Sequence, residues 1–367
     1  MTNVILPSDS SRKKSFSEFR VKLASAFKPE RNYNILVFAS LIVWFIAVQI
    51  LYTLIDGPGI STQNRASGFV IKMVSYGTSY LLLWACWSLI KFARNLGDTS
   101  LFVALIRAYK DNPTLPLTWV IRAALAMISY VLLMTNFMSV KTLIPEIMPF
   151  YLDEAAYKID RILFLGRDPW TLFSWMYDFP SIIVGIDRIY TAWIGLIVGI
   201  WIYCFTSRSM PSNHRYQYII SSILLWLIAG NIMAILLSSA GPIYFDYFTG
   251  SNVYQPLKLS LAAIHETHSL GAYDYSEKLL MMYENKETRF AGISALPSMH
   301  CASSFMILLL FWKNKILRTL LIAFNIIIFI GSIVLAWHYA IDGLIGYFIA
   351  LLCWKASHYI LSFSQTA

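Results

Sequence analysis

Charge is what this chain has least of. Only 13% of its 367 residues are charged, about half the roughly 25% of an average water-soluble domain. So little charge cannot cover a wholly water-facing surface, and the uncharged runs are long enough to cross a bilayer. Cysteine is scarce too. Cys86, Cys204, Cys301 and Cys353 fall within or beside apolar runs, which reads as packing and rules against a disulfide framework or a cysteine metal cluster. The first 33 residues lack the apolar stretch of a cleaved signal, and no internal repeat or low-complexity segment occurs. What is plentiful is apolar: 57% hydrophobic and 16% aromatic residues. The expected class is therefore an all-α, polytopic membrane protein with about eight transmembrane helices.

At about 20 apolar residues per crossing, the spans fall at 34–55, 69–92, 117–140, 180–205, 217–239, 299–313, 316–337 and 342–361. The sixth is short. Gly195 and Gly199 form a small-xxx-small pair of the sort that lets helices approach. The net charge of +9 does not gather into one nucleic-acid-binding patch, so no nucleic-acid partner is expected. Lys and Arg cluster instead in the N-terminal tail, after the second, fourth and sixth spans, and at the C-terminal end. Both termini are then expected in the cytoplasm. "FSEFRVKLASAF" in the tail has apolar residues at helical spacing and suits the membrane surface.

That topology brings two distant stretches to one side. "SALPSMHCASSF" (294–305) enters the sixth span with His300, and "VLAWHYAIDGLIGY" (334–347) leaves the seventh with His338 and starts the eighth with Asp342. All three fall on the non-cytoplasmic face, periplasmic or luminal. The depths do not match: residues 300–314 rise about 21 Å as a helix and 317–338 about 31 Å, so tilt or an early end to the seventh helix must absorb the difference. The long outer loops 141–179 and 240–298 mix aromatic residues with charges, which suits short helices at headgroup level.

If the chain is helical at His338, Asp342 lies at i+4 on the same face. A carboxylate there fixes the imidazole tautomer and leaves its other nitrogen nucleophilic. His300 is then placed to give and take protons. Two imidazoles and a carboxylate suit phosphoryl transfer through a phosphohistidine. They are also plausible zinc ligands, but no fourth ligand accompanies them, and "HETH" at 265–268 lacks zincin spacing. No metal or cofactor is expected. A transporter is the rival from another class, kept alive by Lys72, Arg122, Asp187 and Arg188 within spans. Against it stands the absence of inverted repeats and of Gly- or Pro-broken pairs of spans. A purely structural membrane protein leaves the three converging residues unexplained.

"PSMH" followed by "HYAID" resembles the second and third signatures of the type-2 phosphatidic acid phosphatase superfamily, which usually read Pro-Ser-Gly-His and His-x-x-x-Asp. Together with "KTLIPEIMPF", "IDRILFLGRDPW", "IDRIYTAW" and "SSAGPIYF", the resemblance covers roughly residues 130–350 and is closest to the inositol phosphorylceramide synthase branch. It implies a six-helix phosphatase-like catalytic core and a metal-independent reaction, with His338 as nucleophile, Asp342 as its orienter and His300 as general acid and base. The implied organisation is a basic tail (1–33), two added helices with a cytoplasmic loop (34–116), the core (117–361) and a C-terminal tail (362–367). Donor and acceptor are then membrane lipids or a glycan hydroxyl, with sphingolipids among the lipids, and hydrolysis of a lipid phosphate is the alternative. The superfamily's first signature, Lys-x6-Arg-Pro, is absent, and Ser332 stands where an arginine usually precedes the second histidine. Candidates to hold the phosphate are Lys141, Arg161, Arg188, Arg289 and Ser298, with the N–H groups that open the sixth helix.

Overall fold

The computed structural model describes residues 9–55, 114–285 and 292–366. The span expected at 69–92, with Lys72 and Cys86, lies outside them. Among the described residues every regular element is helical. The main ones, in chain order, are α1 (Asp9–Phe27), α2 (Arg31–Leu54), α3 (Leu115–Lys141), α4 (Asp153–Leu163), α5 (Pro180–Thr206), α6 (Ser212–Leu227), α7 (Gln255–His268), α8 (Gly271–Glu284), α9 (Met299–Leu310), α10 (Lys315–Val334) and α11 (Ala340–Thr366). A π-helical turn, Ile228–Met233, carries α6 on toward Leu236.

Among the described residues six helices are long and apolar enough to cross a bilayer, and they take in α2, α3, α5, α6, α10 and α11. Twenty residues of α10 rise about 30 Å, the thickness of the hydrocarbon core, whereas the twelve of α9 rise about 18 Å. Side chains at Ile42, Val43 and Ile46 on α2, Leu320 and Ile326 on α10, and Leu344 and Phe348 on α11 point outward, as lipid-facing positions do. The tail differs from the expected division at residue 33. α1 runs through a single turn, Lys28–Glu30, straight into α2, and Glu30 is buried in ion pairs with Arg122 and Arg215. That pairing ties the end of the tail into the bundle.

The short α9 sits at the centre, packed by α5, α6, α10 and α11, while α3 bridges α2 to α5. Close approach is made not at Gly195, around which there is open space, but at Gly346 of α11. A Cβ there would lie 2.7 Å from the Ser298 carbonyl oxygen, so only glycine lets α11 reach the start of α9. The described parts of the two long loops, 142–179 and 240–285, fold as short helices over this end of the bundle. Ile159, Ile162, Leu163, Leu165, Trp175 and Phe179 are exposed there, an apolar fringe suited to the headgroup boundary.

Candidate active site

α10 stops at Val334, four residues short of His338. The Ser332 carbonyl accepts from both the Trp337 and His338 N–H groups (3.1 and 3.0 Å), and Ala336 takes a left-handed φ of 61°. This early end leaves α10 at about 30 Å against about 18 Å for α9, so it does not by itself close the depth mismatch between the seventh and sixth helices. It also means that His338 is not helical, so the expected helical i, i+4 face does not exist. The pair meets by another route. Asp342 is the third residue of α11, and its carboxylate reaches back to accept from the Tyr339 N–H (3.1 Å), as the acidic half of a capping box does. From there Oδ2 lies 3.4 Å from Nδ1 of His338.

The same Nδ1 is 2.8 Å from the Ala295 carbonyl oxygen. A carbonyl only accepts, so Nδ1 carries the proton and Nε2 holds the free lone pair. His300 stands in the first turn of α9, its ring centroid 5.8 Å from that of His338. Tyr190 and Trp193 of α5 flank it at 4.2 and 4.1 Å, and Trp193 is anchored by its indole N–H on Ser303 Oγ (2.9 Å). Two imidazoles and a buried carboxylate thus converge where α9, α10 and α11 meet.

The family model described as the PAP2 superfamily matches residues 154–356, more than half of the chain, and spans all three of these groups. The chain belongs to the PAP2 superfamily. Members of that superfamily are phosphatases or phosphotransferases acting on lipid phosphates, and this is an enzyme of that class. No curated protein and no solved structure matches the chain.

Two aspartates outside the expected site residues hold this PAP2 centre in place. Asp160 of α4 accepts from the Ala340 and Ile341 N–H groups (2.7 and 2.9 Å), two of the donors that open α11. Asp153 receives the Tyr339 hydroxyl, the Ser239 hydroxyl and the Ala240 and Gly241 N–H groups, all within 2.9 Å. The Ser239 carbonyl in turn accepts from Ala295 N–H (2.8 Å), so one acid ties the loop at 239–241 to both histidine-bearing segments. Gly241 closes that join: its φ is +97°, and a Cβ would lie 2.6 Å from the Trp337 carbonyl oxygen.

Asp187 of α5 works the same way on Gly271 and Ala272, at the start of α8 (2.9 and 2.8 Å). Asp160 and Asp187 share a legible signal, since each is the acid of an "IDRI" string. Their neighbours Arg161 and Arg188 point out. Arg188 is exposed, and Arg161 pairs with Asp168 (3.5 Å) and the Tyr157 hydroxyl (3.0 Å). Arg289 lies outside the described residues. Ser298 is fully buried, its N–H on the Asp342 carbonyl (3.0 Å) and its Oγ capping α9 through Cys301 N–H (3.4 Å). Lys141 closes α3 with its chain packed on Gly292, its ammonium 5.7 Å from the Phe137 ring centroid. Among the described residues no three His, Cys, Asp or Glu side chains converge as a metal site.

Burial pushes the His338 imidazole down to about 3, against the opposing pull of its bond to the Ala295 carbonyl, and the Lys141 charge lowers it further. His338 is therefore neutral at any physiological pH. Unfolded, an imidazole takes a proton near 6.5, so this group's contribution to stability is complete above that value and is lost as pH falls toward 3. Asp160 opposes the trend, because burial raises its carboxyl to about 6. The two separate in a difference experiment. Thermal unfolding temperatures of wild type and His338→Gln are expected to diverge between about pH 6.5 and 4, with wild type falling relative to the variant.

Proposed function

We propose that the enzyme transfers a phosphate-bearing headgroup from a phospholipid donor to a lipid or glycan hydroxyl through a phosphohistidine at His338. The observation that carries this reading is the His338 imidazole, whose Nδ1 is held by the Ala295 carbonyl at 2.8 Å and whose Nε2 has no hydrogen-bond partner among the described residues. Its lone pair attacks phosphorus, the bond from phosphorus to the leaving oxygen breaks, and His300 gives that oxygen its proton. His300 then takes the proton of the acceptor hydroxyl. The new oxygen attacks phosphorus, the P–N bond breaks, and Nε2 recovers its lone pair. As positive charge builds on the His338 ring, its Nδ1–H bond gains from the Asp342 carboxylate 3.4 Å away. Oδ1 of Asp342 is buried and takes no hydrogen bond among the described residues, so the carboxylate has acceptor capacity to spare.

Lys141 is the cation we assign to the phosphate, with the N–H groups that open α9. Transfer is favoured over hydrolysis by the aromatic walls of Tyr190 and Trp193 and by the burial of His338, which keep bulk water from the intermediate. The likeness to the inositol phosphorylceramide synthase branch points the same way. The site belongs, on the charge distribution, to the periplasmic or luminal face. A transporter loses its support where the structure is described, because Asp187 caps α8 and Arg122 pairs with Glu30.

The test is product analysis in vesicles holding a labelled phospholipid donor. With a ceramide, diacylglycerol or glycan acceptor, label is expected in the acceptor at the expense of free headgroup phosphate. Release into water alone, whatever the acceptor, would reassign the enzyme to hydrolysis. His300→Ala is expected to slow either reaction by about 100- to 10,000-fold, the usual worth of a general acid–base group.

A further inference from the structure

At the other end of α3, Arg122 lies 19 residues from Lys141, a rise of about 28 Å along the helix. A cavity of about 840 Å³ opens there between the α1–α2 turn, the start of α3 and the loop joining α5 to α6. Lys22, Arg122, Arg208 and Arg215 line it, and the one carboxylate among the lining residues is Glu30. Glu30 is shared between two guanidiniums, at 3.0 Å from Arg122 and 2.5 Å from Arg215. Those pairs are almost completely buried, with side-chain exposures of 10% for Arg122, 3% for Arg215 and 5% for Glu30.

The two arginines differ in how well they are satisfied. Arg215 is used up: Nε donates to the Met210 carbonyl, Nη1 to the Cys204 carbonyl, and Nη2 to Glu30 and Ser212. Arg122 is not, because its Nε is buried with no hydrogen-bond partner among the described residues. Arg208 bonds Thr118 at 3.2 Å but has no carboxylate among the described residues, and Lys22 has none either. Burial and the neighbouring Arg122 charge both press Arg208 toward its neutral form. Lys22 and Arg208 are nonetheless exposed, so an anion entering the cavity reaches both charges directly. Four cations around one carboxylate leave room, donors and excess positive charge for an anion.

We infer that this cavity binds a phosphate-bearing anion, with Arg122, Arg208 and Lys22 as its ligands, at a site separate from the His300–His338 centre. Guanidinium forks match phosphate oxygens bidentately, and Lys22 adds a point charge. Two sources share that chemistry: an anionic phospholipid headgroup from the adjoining leaflet, or a free phosphate from solution. A second, apolar groove of about 810 Å³ borders the same α1–α2 turn, lined by Phe27, Ile35, Phe38, Ile121 and Leu125. An acyl chain has a place there that a free phosphate does not need.

The experiment uses the full-length chain in phosphatidylcholine nanodiscs, with either phosphatidic acid mixed into the bilayer or inorganic phosphate in the buffer. The readouts are the thermal unfolding temperature across a titration and the bound lipid counted by native mass spectrometry. The variant is Lys22→Gln with Arg208→Gln, neither of which belongs to the buried Glu30 pairs that hold the turn. Occupancy of the catalytic centre is common to wild type and variant and cancels in the comparison. Wild type is expected to gain stability with at least one probe, and the double variant to need about tenfold more of it or to show no gain. A response to phosphatidic acid alone identifies a headgroup, and a response to inorganic phosphate identifies a free anion. Equal titrations of wild type and double variant with both probes would overturn the inference.

Discussion

Alanine in place of His338 is expected to lower kcat by about 10,000-fold or more while leaving the fold intact. The size of the loss follows from the role. A nucleophile that forms the covalent intermediate has no substitute nearby, because His300 is held between Tyr190 and Trp193 with its ring centre 5.8 Å away. The fold should survive because the turn is held chiefly by main-chain groups and by two aspartates. Ser332, Asp153 and Asp160 still take their bonds from residues 337–341 when the imidazole is gone. Steady-state rates beside the thermal unfolding temperature check both halves. A modest loss of tenfold or less would demote His338 from nucleophile to a positioning residue.

Asp153→Ala carries the largest expected cost in stability, about 3–5 kcal/mol, the scale of breaking a buried hydrogen-bond network around a carboxylate. Four donors lose their acceptor at once, namely Ser239 Oγ, Ala240 N–H, Gly241 N–H and the Tyr339 hydroxyl. Asp153→Asn is milder. An amide oxygen in the Oδ1 position keeps the bonds from Ser239, Gly241 and Tyr339, and only the Ala240 N–H then faces another donor. About 1–3 kcal/mol is expected for that one unpaired group. Denaturant unfolding of the three proteins in one lipid or detergent system measures the order. Because Tyr339 adjoins His338, Asp153→Ala should also lower kcat at temperatures where the variant is still folded. A change below about 0.5 kcal/mol in Asp153→Ala would place the residue among ordinary surface positions.

The legibility of this chain divides along one line. What depends on composition and local order could be read in advance: the apolar runs that became α2, α3, α5, α6, α10 and α11, the short sixth span, and the two histidine segments that meet. What depends on hydrogen bonds between distant segments could not. Asp160 and the N–H groups it caps are 180 and 181 residues apart, and the "IDRI" string marks the place without telling whether its acid or its arginine turns inward. Arg161 and Arg188 drew attention as phosphate ligands because cations suit phosphate. Their backbone positions turn them outward, while the preceding aspartates turn in. The helical premise for His338 and Asp342 failed for a related reason. Apolar residues run through Val334 to Trp337 without a break, and the break comes from Ser332 taking the N–H groups of residues 337 and 338. Tyr190 and Trp193, three apart on α5, were already inside a recognised string, but only the packed helices show that they clasp His300.

The central claim is a covalent phosphohistidine, and the stereochemistry at phosphorus tests it most directly. A phospholipid donor made chiral at phosphorus by sulfur and oxygen-isotope substitution is given to the enzyme with a lipid acceptor, and the configuration of the product is determined. Attack by His338 inverts phosphorus once and attack by the acceptor inverts it again, so net retention is the expected result. Net inversion would mean that the acceptor displaces the leaving oxygen directly, and His338 would lose its place as nucleophile.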